Sequence, residues 1–438
     1  MMWHVIVKVG IEDNYIPNIA ADAPRLLVAF DRPDDPFRMR EHVLDNLKRF
    51  YGRLPSPIVT DLLFLGMATY AADMSISRSI TDDDWTREIT LHVPVSLHQL
   101  WTTVGEVVTK MISFLTGDKW SIEFRERIVA TAPVPTQVEA FLPTKVSLFS
   151  GGMDSLVGAL DLLSGDDKVA FVGHYGGGKT KTFQDKIVNK LSEEYPGRFD
   201  IHRIHVLPPL IEAKKGETTM RSRSILFIAL GLAVADVCGE GVPLNIPENG
   251  LISLNVPLTG ARDGSASTRT THPYFVSLFR NLLAELNINH PLILPYRFMT
   301  KGEMLRQVTN QPLLARSVPL SMSCAHPEAE RWHGGASNKH CGYCFPCIIR
   351  QASSYAAHIE DGDKSVDIIN LPPDYNAKKG HDLRAVKIAL ARLRNRPLNR
   401  VVFDVLDSGP IPPEELQNYV DVYRRGMEEV RTFISSGR

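Results

Sequence analysis

Residues 149–155 read Phe149-Ser150-Gly151-Gly152-Met153-Asp154-Ser155, directly behind the apolar run Val146-Ser147-Leu148-Phe149. From Leu156 to Leu163 the apolar positions 156, 157, 160 and 163 follow helical spacing. A strand, a glycine-rich turn and a helix in that order aim unpaired backbone N–H groups and the positive end of the helix at an anion. Two glycines let the backbone approach phosphate closely, and Ser150 and Ser155 add hydroxyl donors. Asp154 would repel a phosphate unless a cation sat between them. The segment therefore points to Mg²⁺-nucleotide chemistry.

A second glycine-rich stretch, Gly173-His174-Tyr175-Gly176-Gly177-Gly178-Lys179-Thr180, matches the pattern G-x-x-x-x-G-K-T. It follows the apolar run Val169 to Val172 and precedes a helical run from Thr182 to about Glu194. A P-loop NTPase also needs an acid at the end of another buried strand to hold Mg²⁺. The next strand, Ile201 to Leu207, ends in Pro208-Pro209, and Leu244-Asn245-Ile246 is followed by Pro247. Residues 173–180 are expected instead to form the next strand-to-helix loop of the same domain, lining the nucleotide or substrate pocket.

Four of the five cysteines crowd together as Cys324, Cys341, Cys344 and Cys347, with the spacing C-x16-C-x2-C-x2-C. Four thiolates suit tetrahedral Zn²⁺, and C-x2-C steps present successive sulfurs to one ion. Four protein ligands leave no open position for water, so the expected zinc is structural. His326, His333 and His340 lie near enough in sequence to replace one ligand. Cys238 follows the apolar helical run from Ile225 to Val237 and is expected in the core.

The residues FSGGMDS at 149–155 resemble the SGGxDS signature of the PP-loop, or N-type ATP pyrophosphatase, superfamily. With Cys341-Gly342-Tyr343-Cys344-Phe345-Pro346-Cys347 behind it, the chain is similar to the zinc-bearing QueC-like branch, that of 7-cyano-7-deazaguanine (preQ0) synthase. The resemblance spans residues 145–360 and implies an α/β fold, a Rossmann-like parallel sheet of the adenine nucleotide alpha hydrolase type with a four-cysteine zinc module. It implies ATP and Mg²⁺ as well as Zn²⁺. Ser150, Gly151, Gly152, Asp154, Ser155 and His174 would then contact nucleotide, with Asp154, Arg223 and Lys301 in catalysis. Arg223 comes from Met220-Arg221-Ser222-Arg223-Ser224-Ile225-Leu226-Phe227, which resembles the family's G-R-N-I-L-F helix start with serine for asparagine. Lys301 comes from Thr300-Lys301-Gly302-Glu303, which resembles its D-K-x-E segment with threonine for the first acid. His174-Tyr175-Gly176 replaces the family's D-Y-G, and Pro247-Glu248-Asn249-Gly250 sits at its strand-end loop near substrate. The departures fall on the acceptor side, while the pyrophosphate loop is intact.

At 438 residues the chain exceeds one ordinary core, so several domains are expected. Residues 1–126 show apolar or alternating runs at Val5–Val9, Leu26–Phe30, Leu62–Met67, Ile89–Val93, Ile112–Leu115 and Ser121–Phe124. Thr116-Gly117-Asp118-Lys119 suggests a hairpin turn, and the whole suggests a β-rich α+β accessory domain. Residues 127–144, with Pro133, Pro135 and Pro143, form the expected linker, and residues 361–438 a helical C-terminal extension. Within it a basic stripe (Arg384, Lys387, Arg392, Arg394, Arg396, Arg400) suits a solvated face, an acidic partner or nucleic acid. An apolar stripe from Leu416 to Ile434 suits packing on the core or on another subunit, which leaves a homo-oligomer open.

The formal charge of −1 argues against a dominant non-specific nucleic-acid surface. No apolar run approaches the ~20 residues of a membrane span, and the start lacks a signal-peptide pattern. A cytoplasmic protein without membrane contact is expected. The length, the added domain and the altered acceptor loops resemble the long QueC-like proteins of bacterial antiphage defence, the QatC type. That implies adenylation of a carboxylate, 7-carboxy-7-deazaguanine, with release of pyrophosphate. Amide formation with a nitrogen nucleophile on a partner protein of the defence cassette would follow, as a C–N ligase. A preQ0 synthase using ammonia, an RNA-thiolating enzyme and a non-catalytic ATP-binding scaffold are the alternatives.

Overall fold

The computed structural model describes residues 1–127, 129, 142–175, 180–209, 217, 221–259, 269–326 and 339–437. Among the described residues nine strands fall into two sheets, both wholly parallel. The first contains β1 (Met2–Val9), β2 (Arg25–Phe30), β3 (Glu88–Val95) and β4 (Lys119–Glu126), in the order β2-β1-β3-β4. The second contains β5 (Lys145–Leu148), β6 (Val169–Tyr175), β7 (Phe199–His205), β8 (Leu244–Asn245) and β9 (Leu292–Ile293). Its order is β7-β6-β5-β8-β9, so the chain winds outward from β5 first one way and then the other. Ligands of such doubly wound sheets bind beyond the carboxyl ends of the strands where the direction reverses, here β5 and β8.

The first sheet corrects the expectation of a β-rich α+β domain. Leu62–Met67 lies inside the helix Pro57–Ser75, and Ile112–Leu115 inside the helix Gly105–Thr116. The helix Pro57–Ser75 is buried on nearly every side, so its sequence has no amphipathic period by which to tell it from a buried strand. Thr116 to Lys119 is no hairpin. Gly117 adopts φ 76° as a helix C-cap, and its N–H donates to the Ser113 carbonyl at 2.8 Å. Neighbouring parallel strands need a crossover, and helices supply it before β3 and again before β4. Residues 1–126 thus form a parallel α/β layer.

That layer does not stand apart. The helix Pro57–Ser75 packs along Arg223–Cys238, and one apolar cluster runs through Val5, Leu91, Leu65, Ala229, Val146 and Leu244. Gly66 marks the close approach, since a Cβ there would lie 3.2 Å from Ala229 Cβ and 3.4 Å from the Ile225 carbonyl oxygen. Cys238 is buried in the same core, as expected. Of the expected linker, positions 128 and 130–141 lie outside the described residues.

The final helix, Pro413–Ser435, buries Tyr419, Tyr423, Met427 and Val430 against the helices Phe345–Ala356 and Gly250–Leu254. Its apolar stripe therefore covers this chain's own core. Among the described residues no helix is long and apolar enough to cross a membrane.

Candidate functional site

The loop after β5 stands where the winding direction reverses. Phe149 N donates to the Val172 carbonyl at 2.7 Å, the last tie to β6 before the chain turns. Gly151 takes φ 83°, and a Cβ there would meet Gln184 Cγ at 3.1 Å, so both conformation and space select glycine. Gly151 N donates to Ser155 Oγ (3.1 Å) and Gly152 N to Ser150 Oγ (3.3 Å). Gly152 caps the helix Met153–Ser164 and, as glycine, supplies no side-chain cap of its own.

Ser150, Gly152, Asp154, Ser155, Arg223 and Lys301 line one cavity of about 400 Å³. Gly151 is buried just behind it. Asp154 and Lys301 meet directly, with Lys301 Nζ 3.0 Å from Asp154 Oδ1. Lys301 is only 5% exposed, so this is a buried pair and not the start of a solvated helix. Thr300 fixes its position through a reciprocal capping box with Glu303. Asn249 holds the other oxygen of Asp154, donating from Nδ2 at 2.7 Å, while its own Oδ1 caps the helix Gly250–Leu254.

His174 is placed differently from the expectation of nucleotide contact. It is 1% exposed and does not line the cavity. Arg223 Nε donates to His174 Nδ1 (3.1 Å) and Arg223 Nη2 to the His174 carbonyl (2.9 Å). Because a guanidinium only donates, Nδ1 must carry the lone pair, and Nε2–H faces the Val206 carbonyl at 3.3 Å. Burial, with Arg223 adding to it, lowers the His174 pKa to about 3, so the ring is neutral. Tyr70, from the first layer, stacks edge-on at 5.6 Å. His174 positions Arg223. Residues 176–179 of the Walker-like stretch lie outside the described residues.

Glu248, expected only as part of a strand-end loop near substrate, also lines the cavity. Thr271 Oγ1 donates to its Oε2, and burial raises its pKa to about 7. Its place directly behind β8, at the reversal of the sheet, is the signal that identifies it.

The four cysteines come together as the spacing demands, with all four sulfurs within 4.8 Å of one another. Cys324 and Cys344 Sγ are 4.0 Å apart, Cys341 and Cys347 Sγ 3.8 Å. A zinc–sulfur tetrahedron with bonds of about 2.3 Å has edges of roughly 3.8 Å, so the group could hold a metal ion and its size suits zinc. Gly342 allows the turn at φ 83°. His340 Nε2 accepts from Ser323 N at 3.4 Å, while position 333 lies outside the described residues.

The cysteine group abuts the cavity, which Cys324, Ala325 and Pro346 help to line. Two hydrogen bonds join the segment leading into it to the phosphate-type loop: Met322 N to the Gly151 carbonyl (2.9 Å) and Met153 N to Ser323 Oγ (3.3 Å). Neither the family models nor the curated proteins compared with this chain give a match.

Proposed function

We propose that the chain adenylates a carboxylate with ATP and passes the acyl group to a nitrogen nucleophile. The carboxylate is 7-carboxy-7-deazaguanine and the nucleophile an amine of a partner protein, as the resemblance to QueC-like enzymes of antiphage defence implies. The observation that carries the reading is the convergence of the 150–155 loop, the N-terminus of the helix Met153–Ser164, Arg223 and the Asp154–Lys301 pair on one cavity at the sheet's reversal point.

The carboxylate oxygen attacks the α-phosphorus, and the bond to the β-phosphate oxygen breaks. The departing pyrophosphate gathers negative charge, which Lys301 and Arg223 would oppose. Preorganised donors in a shielded site dominate such chemistry because they need no reorganisation as charge develops. Asp154 would be the carboxylate to take Mg²⁺: the one partner of its Oδ1 among the described residues is the Lys301 ammonium, at 3.0 Å. When bound, Mg²⁺ would neutralise phosphate charge. Zinc in the cysteine group would be structural, as four thiolates close its coordination.

The test is product analysis with ATP, Mg²⁺ and 7-carboxy-7-deazaguanine. AMP and pyrophosphate, formed only with the carboxylate, are expected. ADP and phosphate would overturn the reading. Ammonia yielding a free nitrile would assign the preQ0 reaction in place of protein conjugation.

A further inference from the structure

The cavity holds two carboxylates in contrasting company. Asp154 has Lys301 in ion-pair contact. Glu248 has no lysine or arginine in ion-pair contact among the described residues, although burial makes its charge costly. Its polar surroundings are hydroxyls. Thr271 donates to Glu248 Oε2 and also lies 2.7 Å from Ser253 Oγ, while Ser224 and Thr270, 2.9 Å apart, line the same cavity. A half-buried carboxylate whose hydrogen-bonding neighbours are hydroxyls offers acceptors, with Lys301 acting on it only from beyond ion-pair contact. It suits an incoming N–H group and repels phosphate.

We infer that Glu248 marks the subsite of the nitrogen nucleophile, and that its carboxylate takes a proton from an arriving ammonium group. This rests on the adenylation proposed above. The step transfers one N–H proton to a Glu248 oxygen, and the freed lone pair of nitrogen attacks the acyl carbon. The bond from that carbon to the AMP oxygen breaks, AMP leaves with the electron pair, and a second N–H proton passes to water as the amide forms. No oxidant or reductant is involved.

Titration supports the assignment. A base with a pKa of about 7 is ionised in part at neutral pH and still strong enough to accept a proton. Groups from three elements act on it besides its burial. Asp154, from the helix Met153–Ser164, raises its pKa, and Lys301, from the helix Lys301–Gln307, lowers it. The Thr271 hydroxyl, just ahead of the helix Pro273–Glu285, lowers it by donating to the charged form.

The experiment compares wild type, Glu248→Gln and Thr271→Val in two assays. One is carboxylate-dependent exchange of labelled pyrophosphate into ATP, and the other is amide formation from ammonium chloride. In Glu248→Gln amide formation should fall on the order of 10²–10⁴-fold, and far more than exchange does. Hydroxylamine, unprotonated at neutral pH, should restore product in that variant. The wild-type rate should rise with pH and level off once Glu248 is ionised. In Glu248→Gln it should keep climbing, because only free ammonia reacts. Thr271→Val should move the wild-type break upward. Unchanged amide formation in Glu248→Gln would overturn the inference, and so would equal loss of exchange and amide formation. Absence of exchange in wild type would instead overturn the adenylation beneath it.

Discussion

The Asp154–Lys301 pair shows what the sequence could not disclose about single residues. The segment Thr300-Lys301-Gly302-Glu303 has the pattern of a helix start, and Thr300 and Glu303 do form a capping box. Nothing in that pattern says that Lys301 crosses to the phosphate-type loop, because the contact depends on how two distant helices pack. Removing one partner of a buried pair leaves the other charge uncompensated, at about 3–5 kcal/mol. Lys301→Met should therefore lower stability by about 3 kcal/mol, and Asp154→Asn/Lys301→Met by less than the sum of the single changes. Urea titration of the four proteins measures this, and strict additivity would show that the two side chains do not interact. Asp154→Asn alone should keep the fold and abolish AMP formation. His174 illustrates the opposite failure. Its position at the end of β6 suggested ligand contact, but alternate strand residues face opposite ways, and the ring is used up behind Arg223.

Among the elements, the strand–loop–helix at residues 145–164 was legible because each part carries a local signature: a short apolar run, a turn only glycine can make, and apolar helical spacing. The helix Pro57–Ser75 was not legible, since an element buried all round shows no period. Its packing explains what residues 1–126 do for the site: Tyr70 on this helix meets the ring that orients Arg223. The helices can approach so closely only because residue 66 is glycine. Gly66→Val should destabilise by about 1–3 kcal/mol through overpacking. It should also weaken AMP formation, because the strain falls between Tyr70 and Arg223. A variant with an unchanged urea midpoint would show that the helices separate without cost.

At the level of the whole molecule, the two sheets share one core, and the cysteine group is tied by hydrogen bonds to the loop at the reversal point. On the proposal that zinc fills the cysteine group, a chelator should therefore cost more than local stability. Affinity for a fluorescent ATP analogue should fall at least about tenfold, since the ordering free energy of such a metal site is folding free energy. Full affinity in the metal-free protein would show that the two loops are independent. Three buried histidines make stability depend on acid. Burial lowers the pKa of His174 and His272 to about 3 and of His202 to about 4, from an ordinary 6.5. Below about 6.5 the unfolded chain binds more protons than the folded one, so stability present at pH 7 is lost as pH falls toward about 4. The urea midpoint should drop steadily between about pH 7 and 5, and a flat profile would contradict neutral burial of these rings. Acyl transfer through adenylate leaves an isotopic record. With ¹⁸O in the carboxylate of 7-carboxy-7-deazaguanine, attack on the α-phosphorus predicts AMP carrying one ¹⁸O in its phosphate by mass spectrometry; unlabelled AMP, or label appearing in inorganic phosphate beside ADP, would contradict it.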